Sequence, residues 1–239
     1  MSVKSFPGGL MKAVTFSYDD AVTQDQRLIQ ILNKYGLKCT FNLNSARFGC
    51  AGMLIRNDVS VAHCKPRACE IKAIYEGHEI AGHTLTHPNL NALEFDEQVV
   101  REVEEDRQIL SDIAGYEIVG FAYPGGTGAM NDHVADLIRS KTGVRYARTT
   151  TSTYSFDPQE DLIKFDPTVY HVEWDKMYEL ADKFIHMNTD KPQIFYIWGH
   201  AYEFDIDKSW ERFDEFCKAL SGKNDIYYGT NRQVLLGMD

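Results

Sequence analysis

Apolar, β-rich runs alternate with amphipathic stretches from one end of this chain to the other. Ala13-Val14-Thr15-Phe16-Ser17-Tyr18 reads as a strand that stops at Asp19-Asp20. Gln24 to Tyr35 then places Leu28, Ile31, Leu32 and Tyr35 at helical spacing, and Gly36 ends that helix. Cys39 to Leu43 predicts a second strand, Pro66 to Tyr75 a helix, and Glu79-Ile80-Ala81 a strand leading into His83. Asp96 is a candidate cap for a long helix to Ile113, with Val99, Val103, Leu110 and Ile113 on its buried stripe. Ile118 to Tyr123, Val144 to Ala147 and Gln193 to Trp198 are further strand candidates. Helices are expected over Asn131 to Ser140, Trp174 to Ile185 and Ser209 to Leu220, with a closing one after Thr230.

Strand-helix alternation over the whole length argues for a parallel sheet curled into a distorted α/β barrel, read here as one domain over residues 1–239. No internal repeat, linker or low-complexity tract divides it. Polar residues recur where the strands end: Asp19-Asp20, His83, Pro124-Gly125-Gly126, Arg148 and His200. In α/β barrels, that rim is where catalytic groups gather.

The bulk composition narrows the partners. The chain has 239 residues, 44% of them hydrophobic, enough for one substantial core. Its formal net charge of -10 repels phosphate backbones and anionic lipid, so neither nucleic acid nor a membrane surface is an expected partner. No apolar run approaches the ~20 residues of a membrane span. Five cysteines without compact spacing suit a reducing compartment. A cytoplasmic location is expected, or a secreted one if a leader has been removed. Oligomeric state is left open.

The chemistry concentrates in His83-Thr84-Leu85-Thr86-His87, set against Asp19-Asp20. Two imidazoles at i and i+4 on one side of a helical turn can grip a single ion. A carboxylate would complete three ligands and leave a position for water, as catalytic metal sites do. An N, N, O donor set suits zinc first, with cobalt, nickel or manganese as alternatives.

With these residues in this order, the chain resembles polysaccharide deacetylases of the NodB type, carbohydrate esterase family 4, over roughly Lys12 to Met238. The first family motif appears as Phe16-Ser17-Tyr18-Asp19-Asp20-Ala21 and the second as the His83 to His87 stretch. The resemblance implies a distorted (β/α)7–8 barrel in which Asp20, His83 and His87 bind the metal. It further implies that Asp19 is the general base and that His200, just after Ile197-Trp198, is the general acid.

Other motifs depart from the family pattern. The third reads Ala122-Tyr123-Pro124-Gly125-Gly126 and lacks the Arg that normally orients the base. Arg148 could replace it, clamp a substrate anion, or simply be a solvated residue at a strand end. Tyr123 and the backbone amide near Gly125 are candidates for the oxyanion side of the site. The fourth motif is reduced to Glu173-Trp174, so Trp174 lines the site or merely opens a helix. Trp198 could form an apolar wall for an acetyl methyl, and Tyr202 and Glu203 could touch substrate or support the site. His171 is expected to be structural, and Glu79, on the His83 face by period two, to support the ligands.

Asn44 to Lys65 lacks periodicity and is long for a loop. His63, Cys50, Cys64 and Cys69 fall in or beside it, but their spacing fits no common zinc pattern, so free thiols are expected. The reading that results is a metal-dependent hydrolase that removes acetyl groups from an N- or O-acetylated carbohydrate, through water activated by the cation and Asp19. The alternatives are hydrolysis of a non-peptide C–N bond in a small amide, and an inactive carbohydrate-binding barrel.

Overall fold

In a computed structural model, which describes residues 5–125 and 128–238, the central strand β1 (Lys12–Asp19) is buried along its whole length. Its two faces nevertheless differ. Val14, Phe16 and Tyr18 enter the main apolar cluster, whereas Thr15, Ser17 and Asp19 turn inward to bond Asn231, Asn42 and Arg148. The period of two therefore separates apolar packing against helices from a polar interior.

The chain continues through α1 (Asp25–Lys34), β2 (Cys39–Leu43), the hairpin of β3 (Met53–Arg56) and β4 (Val59–Ala62), α2 (Ala68–Ile74), β5 (Glu79–Gly82) and α3 (Asp96–Ala114). There follow β6 (Gly120–Ala122), α4 (Asp132–Lys141), β7 (Tyr146–Arg148), β8 (Val169–Tyr170), α5 (Trp174–His186) and β9 (Gln193–Gly199). The short α6 (Glu203–Ile206), α7 (Trp210–Leu220), β10 (Ile226–Tyr228) and α8 (Asn231–Leu236) complete it. Asp96 opens α3 from inside the helix, with Phe95 in the capping position.

The main sheet is parallel and curled, in the order β7-β6-β5-β2-β1-β9-β8, and β10 pairs with the start of β1. Its two edges are spanned by one segment. Phe165 bonds the residues on either side of Arg148 along the free edge of β7, through its N–H to Ala147 O and its carbonyl to Thr149 N, and four residues later β8 pairs with β9. α1, α2, α5, α7 and the C-terminal half of α3 pack outside the sheet on the main cluster, and the N-terminal half of α3 and α4 on a second one with Phe121 and Tyr123.

Because every strand of this sheet runs the same way, their carboxyl ends meet at one mouth. The other end is filled by a polar layer. Glu79 accepts from Thr40 Oγ1 at 2.7 Å, Tyr146 OH at 2.8 Å and Arg232 N at 2.9 Å. Asn231 joins Thr15 to Thr40 and Tyr196 beside it. The expected support of His83 by Glu79 is thus corrected. A strand rises about 3.3 Å per residue, so four residues carry Glu79 to the far end of the interior.

The sequence pattern missed β3, β4, β8 and β10. No helix among the described residues is long and apolar enough to cross a membrane.

Candidate active site

Asp20 follows β1 and His83 follows β5, so adjacent parallel strands deliver both to the same mouth. One oxygen or nitrogen from each of Asp20, His83 and His87 lies within 4.8 Å of the others. His83 Nε2 is 3.9 Å and His87 Nε2 3.6 Å from Asp20 Oδ1. Donors gripping one zinc ion at about 2.0–2.1 Å lie roughly 3–4 Å apart, so the set fits a tetrahedral cation.

The backbone that brings the imidazoles together is not the helical turn expected from the sequence. Thr84 and His87 both adopt left-handed φ, 70° and 65°, so the segment folds back on itself. Beside backbone bonds from His83 N to Leu43 O and from Leu85 N to Glu102 O, side chains hold it. Asp106 of α3 accepts from His83 N at 3.0 Å and Ser45 N at 2.8 Å, Asn44 Nδ2 donates to Thr84 O at 3.0 Å, and Thr84 Oγ1 accepts from His87 N at 3.0 Å. Burial pushes the Asp106 carboxyl up to about 7.

His83 Nδ1 lies 2.8 Å from Ala122 O. A carbonyl can only accept, so Nδ1 carries the proton and Nε2 presents its lone pair to the Asp20 side. Burial lowers His83 to about 4, which keeps it neutral, as a ligand must be. Burial alone would raise Asp20, but the His63 contact and the Lys65 charge hold it well below the usual carboxylate range.

Asp19 is buried on the other flank. Arg148 Nη2 donates to its two oxygens at 2.6 and 2.5 Å, and Asn42 Nδ2 donates to Oδ1 at 2.8 Å. Burial would raise the Asp19 carboxyl, yet Arg148 keeps it below its ordinary value. Arg148 is 0% exposed, which excludes the solvated strand-end alternative. Its guanidinium also lies 4.6 Å from the Trp198 ring centroid, and Trp198 stacks on Tyr170 at 4.2 Å.

His200 faces Asp19 across the mouth, Nε2 to Oδ2 at 3.9 Å. Its Nδ1 is 3.2 Å from Glu203 Oε2, which also accepts from His200 N at 3.0 Å. Burial would lower His200, but Glu203 overrides it and raises the imidazole to about 9. Glu203 is held in turn by Arg56 at 2.7 Å, by Tyr170 OH and by His171 Nε2 at 3.2 Å. His171 Nδ1 contacts Tyr18 OH at 2.8 Å, so His171 is buried support for Glu203. Gly199 makes this possible: a Cβ there would stand 2.3 Å from His171 Nδ1.

Tyr202 packs beside His200 and His63, with ring centroids at 5.0 and 5.1 Å. Two predicted residues stand apart from this group. The Tyr123 amide donates to Arg148 O and its hydroxyl to Ile163 O, so both donors face structure. Trp174 sits behind His171 against Phe204 and Arg212 because its position opens α5 on the outside of the sheet. Gly125 is exposed with a φ of 84°, and Gly126 lies outside the described residues. Sequence reasoning missed Lys65, Arg56, Asp106 and Asn42. They come from a segment without periodicity or from helix and strand interiors, where nothing marks a polar residue as aimed at the site. Cys50, Cys64 and Cys69 form no disulfide among the described residues.

A family model described as polysaccharide deacetylase matches residues 9–147, more than half of the chain. Among solved structures, a family 4 carbohydrate esterase from Streptomyces lividans, in complex with acetate, aligns with 15% identity over 92% of this chain and 93% of that one, with a TM-score of 0.57. A polysaccharide deacetylase from Bacillus cereus aligns with 16% identity over 92% and 91%, TM-score 0.56. A peptidoglycan deacetylase from Bacillus subtilis aligns with 19% identity over 94% and 90%, TM-score 0.54. At these identities the likeness is one of fold. No protein of curated function matches the sequence.

Proposed function

This chain belongs to the polysaccharide deacetylase family, and from that premise we propose that it is a metal-dependent hydrolase removing acetyl groups from an N- or O-acetylated carbohydrate. One observation carries the reading. Asp19 and His200 face each other 3.9 Å apart beside Asp20, the first kept anionic by Arg148 and the second kept cationic by Glu203. An anionic acceptor and a cationic donor of protons are the pair that acyl transfer to water needs.

Asp20, His83 and His87 would hold the cation, zinc first and cobalt, nickel or manganese as alternatives. When bound, such an ion supplies Lewis-acid polarisation of a carbonyl and lowers the pKa of a coordinated water. The protein's own groups do the rest. An Asp19 oxygen accepts the proton of the attacking water, and Arg148 and Asn42 fix that carboxylate in place. His200, its Nδ1 held by Glu203, delivers the Nε2 proton to the departing nitrogen or oxygen. No serine or cysteine nucleophile is required.

A second reading keeps the site and takes a small amide as substrate. It is favoured by the burial of the reacting groups, with Asp19 2% and Asp20 7% exposed. Metal analysis of the purified protein, with acetate release measured on chitooligosaccharides, acetylxylan and small amides, tests both. Metal with turnover of an acetylated sugar supports the first reading, and turnover of small amides alone supports the second. A protein that holds no metal and hydrolyses nothing refutes both and favours a carbohydrate-binding barrel.

A further inference from the structure

The β3–β4 hairpin reaches the site from the side opposite His83. Its turn, Asn57-Asp58, has both residues left-handed, φ 52° and 61°, as a two-residue hairpin loop requires. Beyond the strands the pairing continues: His63 N donates to Gly52 O, Lys65 N to Cys50 O, and Gly49 N to Pro66 O, each at 2.8 Å. Thr23 N, donating to Cys64 O at 2.9 Å, and Gln24 Nε2, donating to Ala62 O at 2.7 Å, tie this strip to the start of α1. The strip is therefore fixed where it passes Asp20.

Two of its side chains meet that residue. Lys65 Nζ donates to the Asp20 carbonyl, holding a backbone whose φ at Asp20 is 84°. His63 Nε2 lies 3.4 Å from Asp20 Oδ2, whereas the nitrogens of His83 and His87 approach Oδ1. His63 thus stands outside the three-donor group, on the carboxylate oxygen that the other two imidazoles leave free. Lys65 Nζ also lies 3.5 Å from His63 Nε2.

We propose that His63 is a positioning residue of the cation site: its Nε2–H donates to Asp20 Oδ2, so that only Oδ1 is presented to the ion. This rests on the metal-dependent reading above. A carboxylate free to turn binds through either oxygen or both; pinning one oxygen fixes the geometry before the ion arrives. Such partners of metal ligands are worth about 10- to 100-fold in metal affinity.

The test is titration of chelator-stripped protein with Co²⁺ and with Zn²⁺ against a competing chromophoric chelator, in wild type, His63→Ala and His63→Gln. The alanine variant should bind both ions about 10- to 100-fold more weakly. The glutamine variant, which retains an N–H donor, should recover most of the affinity. Equal affinity in His63→Ala overturns the proposal. So does a glutamine variant as weak as alanine, since that makes His63 a direct ligand or mere scaffold. If His63→Ala does not fold, His63→Gln decides alone: near-wild-type affinity supports the role and weak binding refutes it. Wild type that binds neither ion refutes the metal-dependent reading itself, and this inference with it.

Discussion

Asp19 and Arg148, 129 residues apart in the chain, form an ion pair at the mouth of the sheet in which neither side chain is more than 2% exposed. Breaking a buried pair from one side leaves an uncompensated charge and costs about 3–5 kcal/mol. Arg148→Met should therefore lose stability on that scale in urea unfolding. Arg148→Lys retains the charge but reaches less well, so Asp19 moves back toward its ordinary pKa. The acid limb of kcat/KM should then shift to higher pH. An unmoved limb would mean that Arg148 does not set the ionisation of the base.

Glu203 governs the other limb. His200 is raised to about 9, and its proposed role needs the proton, so activity should fall as pH rises through that value. In Glu203→Gln the imidazole loses its anionic partner and drops toward about 6.5, or lower with burial. The alkaline limb should move down by roughly two pH units or more. Imidazole NMR titration of His200 in both proteins checks the assignment independently of turnover.

The division of labour proposed for the adjacent aspartates predicts two different failures. His83→Ala should lose bound metal and activity together. Asp19→Asn should retain its metal and lose roughly 10²- to 10⁴-fold in kcat. Metal analysis beside acetate release separates them; a metal-replete His83→Ala, or an Asp19→Asn with full turnover, would contradict the roles assigned.

Asp25 offers a test of folding linkage. Burial pushes its carboxyl up to about 8 although Tyr75 OH donates to Oδ2 at 2.7 Å, and Oδ1 has no hydrogen-bond partner among the described residues. The folded-state pKa lies above the unfolded value of about 3.9, so the folded protein binds the proton more tightly. This contribution to stability is complete below pH 3.9 or so and is lost as pH rises to about 8. Asp25→Asn removes the titration. Its stability should fall less steeply across that window, by up to about 1.4 kcal/mol per pH unit in chemical denaturation.

The fold was legible because its long elements carry clean periods. Leu28 and Leu32 announce α1, Val99, Val103 and Leu110 announce α3, and Ile194 to Trp198 announce β9. The meeting of Asp20, His83 and His87 was legible for another reason: paired aspartates and an H-x-x-x-H stretch in company suggest a shared cation. The hairpin over 53–62 was not, because Met53, Ile55, Ser60 and Ala62 are exposed, and a strand that buries little has no alternating pattern. Its turn is Asn-Asp, which lacks the glycine that usually signals one. β8 and β10, two and three residues long, are too short to show any period. The turn at His83 to His87 was misread because i, i+4 spacing suits a helix, whereas here Asp106, Asn44 and Thr84 hold a looped backbone that spacing cannot reveal.

The polar layer of Glu79, Thr40, Tyr146, Tyr196 and Asn231 gives the interior a floor as well as a rim. A barrel plugged in this way is a cup, not a tube. On the proposed reading, whatever enters between Asp19 and His200 would leave by the same route, and a cleaved acetate would depart after the larger product. Slow departure of the sugar would then throttle every turnover, and a tight sugar analogue would trap acetate beneath it.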